Sequence, residues 1–220
     1  MKDKCDIICV TNRHLCKGDY RERLTELAKA HPKAIILREK DMSEEEYGEL
    51  AAWFIPVCRE AGTKLFLHYF YRVAMELKPD GLHLPLHVLE ELCSGNGFDR
   101  TGNLQRRENL RRRLQEELGV SELGASCHSV EDAVRAEQLG CTYILAGHIY
   151  DTDCKKGLPG RGLEFLREVT EEITFPVYAI GGIEPENIDE VRGSGAAGAC
   201  IMSSAMKSKN VEELLKEFSQ

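Results

Sequence analysis

Short apolar runs recur along this chain at nearly even intervals, and amphipathic stretches separate them. Eight such runs, rich in β-branched residues, occupy positions 6–11, 34–38, 64–68, 81–84, 123–126, 143–147, 177–181 and 199–203. They lack the polar alternation of half-exposed strands, which indicates parallel strands buried on both faces. The mean spacing of about 27 residues leaves room for one helix after each strand. The pattern therefore predicts an α/β fold, a single (β/α)₈ TIM barrel that spans residues 1–220.

Helix-start signals between the runs agree with this fold. Ser43 and Ser129 each precede an acidic turn in the manner of an N-cap, and Pro185 is suited to a first helical turn. An open doubly wound sheet is the alternative, but it more usually has five or six strands. The segment 93–109 is rich in Gly, Asn and Arg, and we expect an irregular insertion there that leads into an extra helix.

Composition excludes several classes of protein. The net charge of −8 argues against a nucleic-acid surface. Five arginines lie between Arg106 and Arg113, but acids and leucines share that stretch at helical spacing, so we expect a solvated helix face. No run approaches the roughly 20 apolar residues of a membrane-spanning helix. The N-terminal residues lack signal-peptide architecture, so we expect a cytoplasmic protein.

Nine cysteines are present, and none forms a C-x-x-C pair. Cys5, Cys9, Cys141 and Cys200 lie in or beside apolar runs, where a reduced cysteine behaves as a small core residue. A zinc site would need clustered ligands. His68 and the other histidines near strand ends have no metal-ligand spacing. We therefore expect no metal site.

The carboxyl ends of the last two runs carry small residues. Gly181 and Gly182 follow the seventh run, and Met202, Ser203 and Ser204 follow or end the eighth. Glycine lets backbone N–H groups approach an anion closely, and barrels commonly bind phosphate after strands seven and eight. Taken alone, the two glycines would be read as a tight turn; within a barrel they predict a phosphate site formed mainly by the backbone.

A histidine ends the sixth run. His148 is suited to proton transfer near neutral pH, although a histidine in this position is by itself more often structural. A polar loop follows with Thr152, Asp153, Cys154 and Lys155. The thiol pKa of Cys154 would be lowered by the neighbouring lysines, but no partner base can be identified for it as a nucleophile.

Two further strand ends contribute polar side chains. Arg38 and Lys40 follow the second run, where they suit a carboxylate or a phosphate, and Ser126 ends the fifth. The alternative for Arg38 is an ion pair with Glu39 or another acid of the barrel. His128 is interpreted as a loop residue, with a second histidine at the mouth of the barrel as the alternative.

Taken together, these segments resemble the thiamine phosphate synthase family over nearly the whole chain. The resemblance rests on the order and spacing of L-R-E-K at 37–40, D-G-L-H-L at 80–84, S-C-H-S at 126–129, T-D-C-K at 152–155 and A-I-G-G-I at 179–183. The stretch from Gly147 to Gly157, with Arg161 after it, is more similar to the thiazole tautomerase (TenI-type) branch. In that branch the histidine that matches His148 is the acid/base residue.

Two departures from the synthase pattern favour this branch. Synthases join a pyrimidine diphosphate to a thiazole phosphate with Mg²⁺, and their pattern has Asn-Asp after strand three and an aspartate after strand four. Here those places read His68-Tyr69 and L-P-L-H-V at 84–88, without the carboxylates that Mg²⁺ prefers. Glu90 and Glu91 are nearby but are shifted into the next helix.

The resemblance thus implies three readings. The first is a thiazole tautomerase that aromatises a thiazole carboxylate phosphate by proton transfer at His148, with no cofactor. The second is a thiamine phosphate synthase, which alone would need Mg²⁺. The third is a non-catalytic barrel that binds a pathway phosphate and acts in regulation. A small phosphorylated thiazole is the expected partner in the first reading; a homo-oligomer is compatible with the sequence, which does not indicate the number of subunits.

Overall fold

Eight parallel strands close into a barrel in the order in which they occur along the chain. The computed structural model describes residues 5–94, 104–152, 155 and 157–219. The strands are β1 (Asp6–Val10), β2 (Ala34–Leu37), β3 (Leu65–His68), β4 (Gly81–Pro85), β5 (Glu122–Cys127), β6 (Tyr143–Gly147), β7 (Val177–Ile180) and β8 (Gly198–Ile201). The pairing of β8 with β1 closes the ring. The predicted (β/α)₈ barrel is confirmed.

Helices cover the outside of this ring. They are α1 (Tyr20–Lys29), α2 (Glu44–Ala61), α3 (Tyr71–Leu77), α4 (Leu86–Ser94), α5 (Leu104–Leu118), α6 (Val130–Gln138), α7 (Gly162–Glu172), α8 (Ile188–Gly193), α9 (Ser203–Lys207) and α10 (Val211–Glu217). Ser43 caps α2 in a capping box with Glu46, and Ser129 caps α6, as their sequence context predicts. None of the helices described is long and apolar enough to cross a membrane.

Two apolar cores lie on the two faces of the sheet. The larger core packs between the strands and the helices. The smaller core fills the barrel interior with alternate strand residues, among them Ile8, Ile36, Phe66, Tyr143, Leu145, Tyr178 and Cys200. Because side chains alternate along a strand, a residue two positions beyond an interior one faces the same way. This alternation decides which side chains reach the open end of the barrel.

The structure corrects some predicted boundaries. β1, β2, β7 and β8 each end before the last residue of their apolar run, and Ser203 belongs to α9 instead of a strand. Both ends of the predicted insertion 93–109 are helical, because α4 extends to Ser94 and α5 begins at Leu104; positions 95–103 lie outside the described residues. The expected extra helix is present, and Arg111, Arg112 and Arg113 are exposed on it.

The expected core cysteines are buried as free thiols: Cys5, Cys9, Cys141 and Cys200. Burial raises the pKa of Cys9 to about 12, so this thiol stays protonated at neutral pH. These residues therefore act as small apolar side chains, as the sequence predicts.

Candidate active site

A cavity of about 360 Å³ opens at the carboxyl ends of the strands. Eleven residues predicted from the sequence to form the site line it: Arg38, Lys40, Ser126, His148, Thr152, Lys155, Gly181, Gly182, Met202, Ser203 and Ser204. Asp153 and Cys154 lie outside the described residues. The barrel thus brings together side chains from strand ends that are far apart in the sequence, which is where barrel enzymes carry their sites.

The β7–β8 side of the cavity is made of backbone and small residues. Gly181 and Gly182 have φ angles of +100° and +66°, which side-chain-bearing residues rarely adopt. A Cβ atom on Gly181 would lie 2.4 Å from the Cβ of His148, and one on Gly182 would lie 2.6 Å from the carbonyl oxygen of Asp151. Glycine is required here both by the backbone conformation and by the close approach of the loop after β6.

Next to these glycines, on the neighbouring strand, the chain turns from β8 directly into α9. Met202, Ser203 and Ser204 are half-buried at this turn and line the cavity. The first N–H groups of a helix have no acceptor within the helix, so they can donate hydrogen bonds to an anion. We call this side, formed by Gly181, Gly182 and 202–204, the phosphate end of the cavity.

Other residues of the cavity lining are cations. Arg38 and Lys40 continue the inward alternation of Ile36, and Lys155 approaches from the loop after β6. Burial, together with the nearby charges of Arg38 and Lys155, lowers the pKa of Lys40. Like charges held this close favour an anionic ligand between them. We call these residues, with Ser126 added, the cationic end.

The carboxylate of Glu39 is directed between β1 and α1. It accepts hydrogen bonds from the Thr11 hydroxyl at 2.7 Å, the Arg13 amide at 3.0 Å and the Tyr20 hydroxyl. Thr11 in turn accepts one from the Arg38 amide at 2.9 Å. Glu39 therefore fixes the backbone from which Arg38 and Lys40 project.

His148 lines the same cavity next to Gly181 and is buried, with 9% of its surface exposed. Its Nε2 donates a hydrogen bond to the carbonyl oxygen of Leu158 at 3.2 Å. The Arg161 amide bonds the His148 carbonyl oxygen at 2.9 Å, which holds the loop against the strand end. With its proton on Nε2, a neutral imidazole keeps a lone pair on Nδ1, which is the arrangement that a general base needs.

Three more histidines line the cavity: His68, His83 and His128. Burial lowers the pKa of His68 well below its ordinary value, and the neighbouring His83 adds to this shift. Burial likewise lowers the pKa of His83 to about 3, with Arg38 and Lys40 contributing. His128 is exposed and donates from Nδ1 to the Gly147 carbonyl oxygen at 2.7 Å. His68 and His83 are therefore neutral at physiological pH.

His68, His83 and His128 were not among the site residues predicted from the sequence. The alternation of side chains along a strand could have predicted that the first two face the barrel interior. His68 lies two positions after Phe66 on β3, and His83 lies two positions after Gly81 on β4, and both of those residues face inward. Nothing in the sequence signals the contact that His83 makes with residues of β5 and β6, because that contact depends on the closure of the ring.

The donors that the described residues present to the cavity do not fit a magnesium ion. Among the described lining residues only Glu184 bears a carboxylate, and burial raises its pKa. No cluster of three or more His, Cys, Asp or Glu side chains that could hold a metal occurs in the described part of the chain. Mg²⁺ prefers oxygen ligands with at least one carboxylate, whereas this cavity presents cations and imidazoles.

Comparison with known proteins identifies the relatives of this barrel. The family model described as thiamine monophosphate synthase matches residues 7–92 and 103–205. The chain belongs to this family. A thiamine-phosphate synthase of Chlorobium luteolum is 32% identical over 185 residues, which cover 84% of this chain and 78% of that protein. Another from Syntrophomonas wolfei is 29% identical over 218 residues, covering 96% of this chain and 93% of the relative.

A solved structure extends the likeness. The thiamine phosphate pyrophosphorylase of Pyrococcus furiosus superposes with a TM-score of 0.75 at 26% identity, over 98% of this chain and 94% of that one. The resemblance to the family that the sequence motifs indicated is thus confirmed. The comparisons do not distinguish the tautomerase branch from the synthases.

Proposed function

We propose that this protein is a thiazole tautomerase that binds a thiazole carboxylate phosphate and moves one proton between two ring-associated carbons. The observation that carries the proposal is a single cavity in which the buried His148 shares the lining with a phosphate end made of backbone and a cationic end made of side chains. Such a cavity matches a ligand with two anionic groups and a ring between them.

In this proposal each end has a separate task. The backbone amides of Gly181, Gly182 and Ser203 hold the phosphate, while Arg38 and Lys40 hold the carboxylate. A ligand fixed at both ends has its ring held against His148. Fixing the reacting atoms in this way lowers the entropic part of the barrier.

His148 then acts as both base and acid. Nδ1 takes the proton from one carbon, and the Leu158 carbonyl that accepts from Nε2 stabilises the imidazolium. The same Nδ1 proton returns to the second carbon, so the ligand leaves with one hydrogen moved and His148 neutral again. The step needs no metal or diphosphate leaving group, in keeping with the lack of a fitting magnesium donor set among the described residues.

The second candidate function is thiamine phosphate synthesis. It is favoured by the names of the curated relatives, which are thiamine-phosphate synthases. Family membership supports an enzyme of thiamine chemistry under both candidates. The lining of the cavity favours the tautomerase, because the two places where the synthase pattern carries its carboxylates hold His68, Tyr69 and the stretch 84–88.

Two assays on the purified protein separate the candidates. In the first, the thiazole carboxylate phosphate tautomer is aromatised in the presence of EDTA, and His148→Gln slows turnover by about 100-fold or more with ligand affinity nearly unchanged. In the second, the pyrimidine diphosphate and the thiazole phosphate are supplied with Mg²⁺, and no thiamine phosphate forms. Formation of thiamine phosphate at an enzymatic rate would contradict the proposal, and so would a His148→Gln variant as fast as the parent. Binding without either turnover would favour the regulatory reading.

A further inference from the structure

A buried chain of hydrogen bonds runs through the barrel interior to the cationic end. The Tyr143 hydroxyl lies 3.1 Å from Nδ1 of His83, and Nε2 of His83 lies 2.9 Å from Oγ of Ser126. Tyr143 and His83 are buried, with 3% and 1% of their surfaces exposed, whereas Ser126 is half-buried and lines the cavity. These hydrogen bonds therefore connect the core of the barrel with the cavity.

The packing around Tyr143 holds this chain in place. A Cβ atom on Gly124 would lie 2.1 Å from the tyrosine ring, so the missing side chain of Gly124 provides the space for the ring. The ring also contacts Phe66 at a centroid distance of 5.5 Å and His83 at 5.6 Å. A ring confined on these sides keeps its hydroxyl in one place.

The protonation states along the chain are set by its surroundings. Burial raises the pKa of Tyr143 well above its ordinary value, so the phenol keeps its proton. Burial and the charges of Arg38 and Lys40 keep His83 neutral, with a pKa of about 3. The imidazole of His68, also neutral, lies 5.9 Å away, centroid to centroid. A neutral imidazole carries one N–H, so the two hydrogen bonds of His83 can be arranged in only two directions from donor to acceptor.

Only one direction satisfies every group. If Tyr143 donates to Nδ1, then Nε2 carries the hydrogen and donates to Ser126. In the reverse direction Nδ1 donates to the phenol, and the buried Tyr143 O–H needs another acceptor. Among the described residues His83 is the only hydrogen-bond partner of that hydroxyl. A buried O–H left without an acceptor is unfavourable, so the first direction is the stable one.

We infer that His83 is a positioning residue, oriented by Tyr143, that makes Ser126 present its hydroxyl proton to the ligand. Because Ser126 already accepts from His83, its own O–H is the group left to donate. Ser126 lines the cavity at the end of β5, whereas the phosphate end follows β7 and β8, so we place the acceptor on a part of the ligand other than its phosphate. The identity of that acceptor, the carboxylate of the thiazole, rests on the proposed function; the direction of the chain does not.

The direction is tested by ¹⁵N NMR of the imidazoles in the ligand-free protein. The expected result is a neutral His83 with its hydrogen on Nε2 at every pH between about 5 and 8; His83→Gln assigns its signals among those of the seven histidines. Tyr143→Phe should leave the hydrogen on Nε2, where Ser126 accepts it, and should shift the Nδ1 resonance, because Nδ1 loses its hydrogen-bond donor. A parent protein with the hydrogen on Nδ1, or with an imidazolium, would overturn the inference whatever the ligand is.

The consequence for the ligand is tested by a double-mutant cycle. We expect Ser126→Ala and Tyr143→Phe each to weaken binding of thiazole carboxylate phosphate by about fivefold to tenfold, with little effect on thiazole phosphate that lacks the carboxylate. Because Tyr143 acts through Ser126, the double variant should bind no more weakly than Ser126→Ala. Losses that multiply in the double variant would mean that Tyr143 acts by packing alone, which would overturn the positioning role.

Matched variants complete this test. Tyr178→Phe removes a hydroxyl from a ring that lies 6.1 Å from that of Tyr143, and should leave the affinity unchanged. His83→Gln keeps a donor near Ser126 and should retain affinity within about twofold, whereas His83→Leu should bind as weakly as Ser126→Ala. Equal losses for Gln and Leu would contradict the role of the donor. If the parent binds neither thiazole, the proposed function fails, and the NMR result still decides the inference.

Discussion

The two ends of the cavity differ in whether backbone or side chains form them. The phosphate end consists of backbone and small residues, and its geometry depends on positive φ angles at Gly181 and Gly182. The cationic end consists of long or titrating side chains on alternate strand positions, among them Arg38, Lys40 and Ser126. The first end therefore depends on the path of the chain, whereas the second depends on charge and protonation. Substitutions at the two ends should therefore differ in their effects on ligand affinity and on stability.

The largest effect is expected from Gly181→Ala. The added Cβ would meet His148 at 2.4 Å, and φ is +100° there, so both the phosphate end and His148 should be displaced. We expect affinity for inorganic phosphate and for the ligand to fall by about 100-fold, measured by calorimetry, at a stability cost of about 3 kcal/mol.

Gly62→Ala is the matched control for this change. Gly62 also has a positive φ, +70°, but a Cβ there would meet no atom within 4 Å. This variant should lose about 1 kcal/mol of stability and no affinity. Equal losses of affinity in the two variants would mean that the phosphate end does not depend on the path at Gly181.

His83, which contacts Ser126 of the cationic end, should make the stability of the protein depend on pH. His83 has a pKa of about 3 in the folded protein and an ordinary value of 6.5, so below 6.5 the unfolded chain binds a proton that the folded one does not. The free energy of unfolding should therefore fall as the pH drops, by roughly 3 kcal/mol between pH 6.5 and pH 4 from this residue. Urea unfolding at several pH values should show a flatter profile for His83→Gln; an unchanged slope would be contrary to the predicted burial of a neutral imidazole.

A smaller effect, on the pH dependence of ligand affinity, is expected from Lys40. Its pKa is lowered by burial and by Arg38 and Lys155, and a bound carboxylate would raise it again. Affinity should therefore be highest below the pKa of the free protein and fall as the pH rises through it, at a lower pH than for an ordinary lysine. Lys40→Arg should remove this decline, which amounts to about tenfold. The same decline in the variant would assign it to another group.

The smallest effect is expected from Ser203→Ala. If the backbone N–H of this residue holds the phosphate, removal of the hydroxyl should change affinity by about threefold or less. Calorimetry with inorganic phosphate measures the change. A loss as large as that of Gly181→Ala would show that side chains also build the phosphate end.

The two ends also differed in how far the sequence could predict them. Gly181, Gly182 and 202–204 follow apolar runs that could be recognised as strands, and the barrel frame then gave them their place. Arg38 and Lys40 could be located in the same way, through their parity with Ile36. His83 could not, because its role depends on Tyr143 and Ser126, which lie 60 and 43 positions away in the sequence and meet it only when β4, β5 and β6 pair.

The segment 93–109 was the least predictable part of the fold. The segment 93–109 has no clear periodicity, and the sequence did not show that α4 continues to Ser94 or that α5 starts at Leu104. Caps such as Ser43 were predictable because they depend on neighbours three residues away. Local chemistry could thus be read from the sequence, and contacts across the ring could not.

A crystal structure of the complex with the thiazole carboxylate phosphate would show how the ligand lies relative to His148. We expect phosphate oxygens about 3 Å from the amides of Gly182 and Ser203, the carboxylate at Arg38 and Lys40, and His148 Nδ1 within about 3.5 Å of the ring carbon that loses its proton. Electron density with the phosphate at Arg38 and Lys40, or with the ring out of reach of His148, would contradict this arrangement.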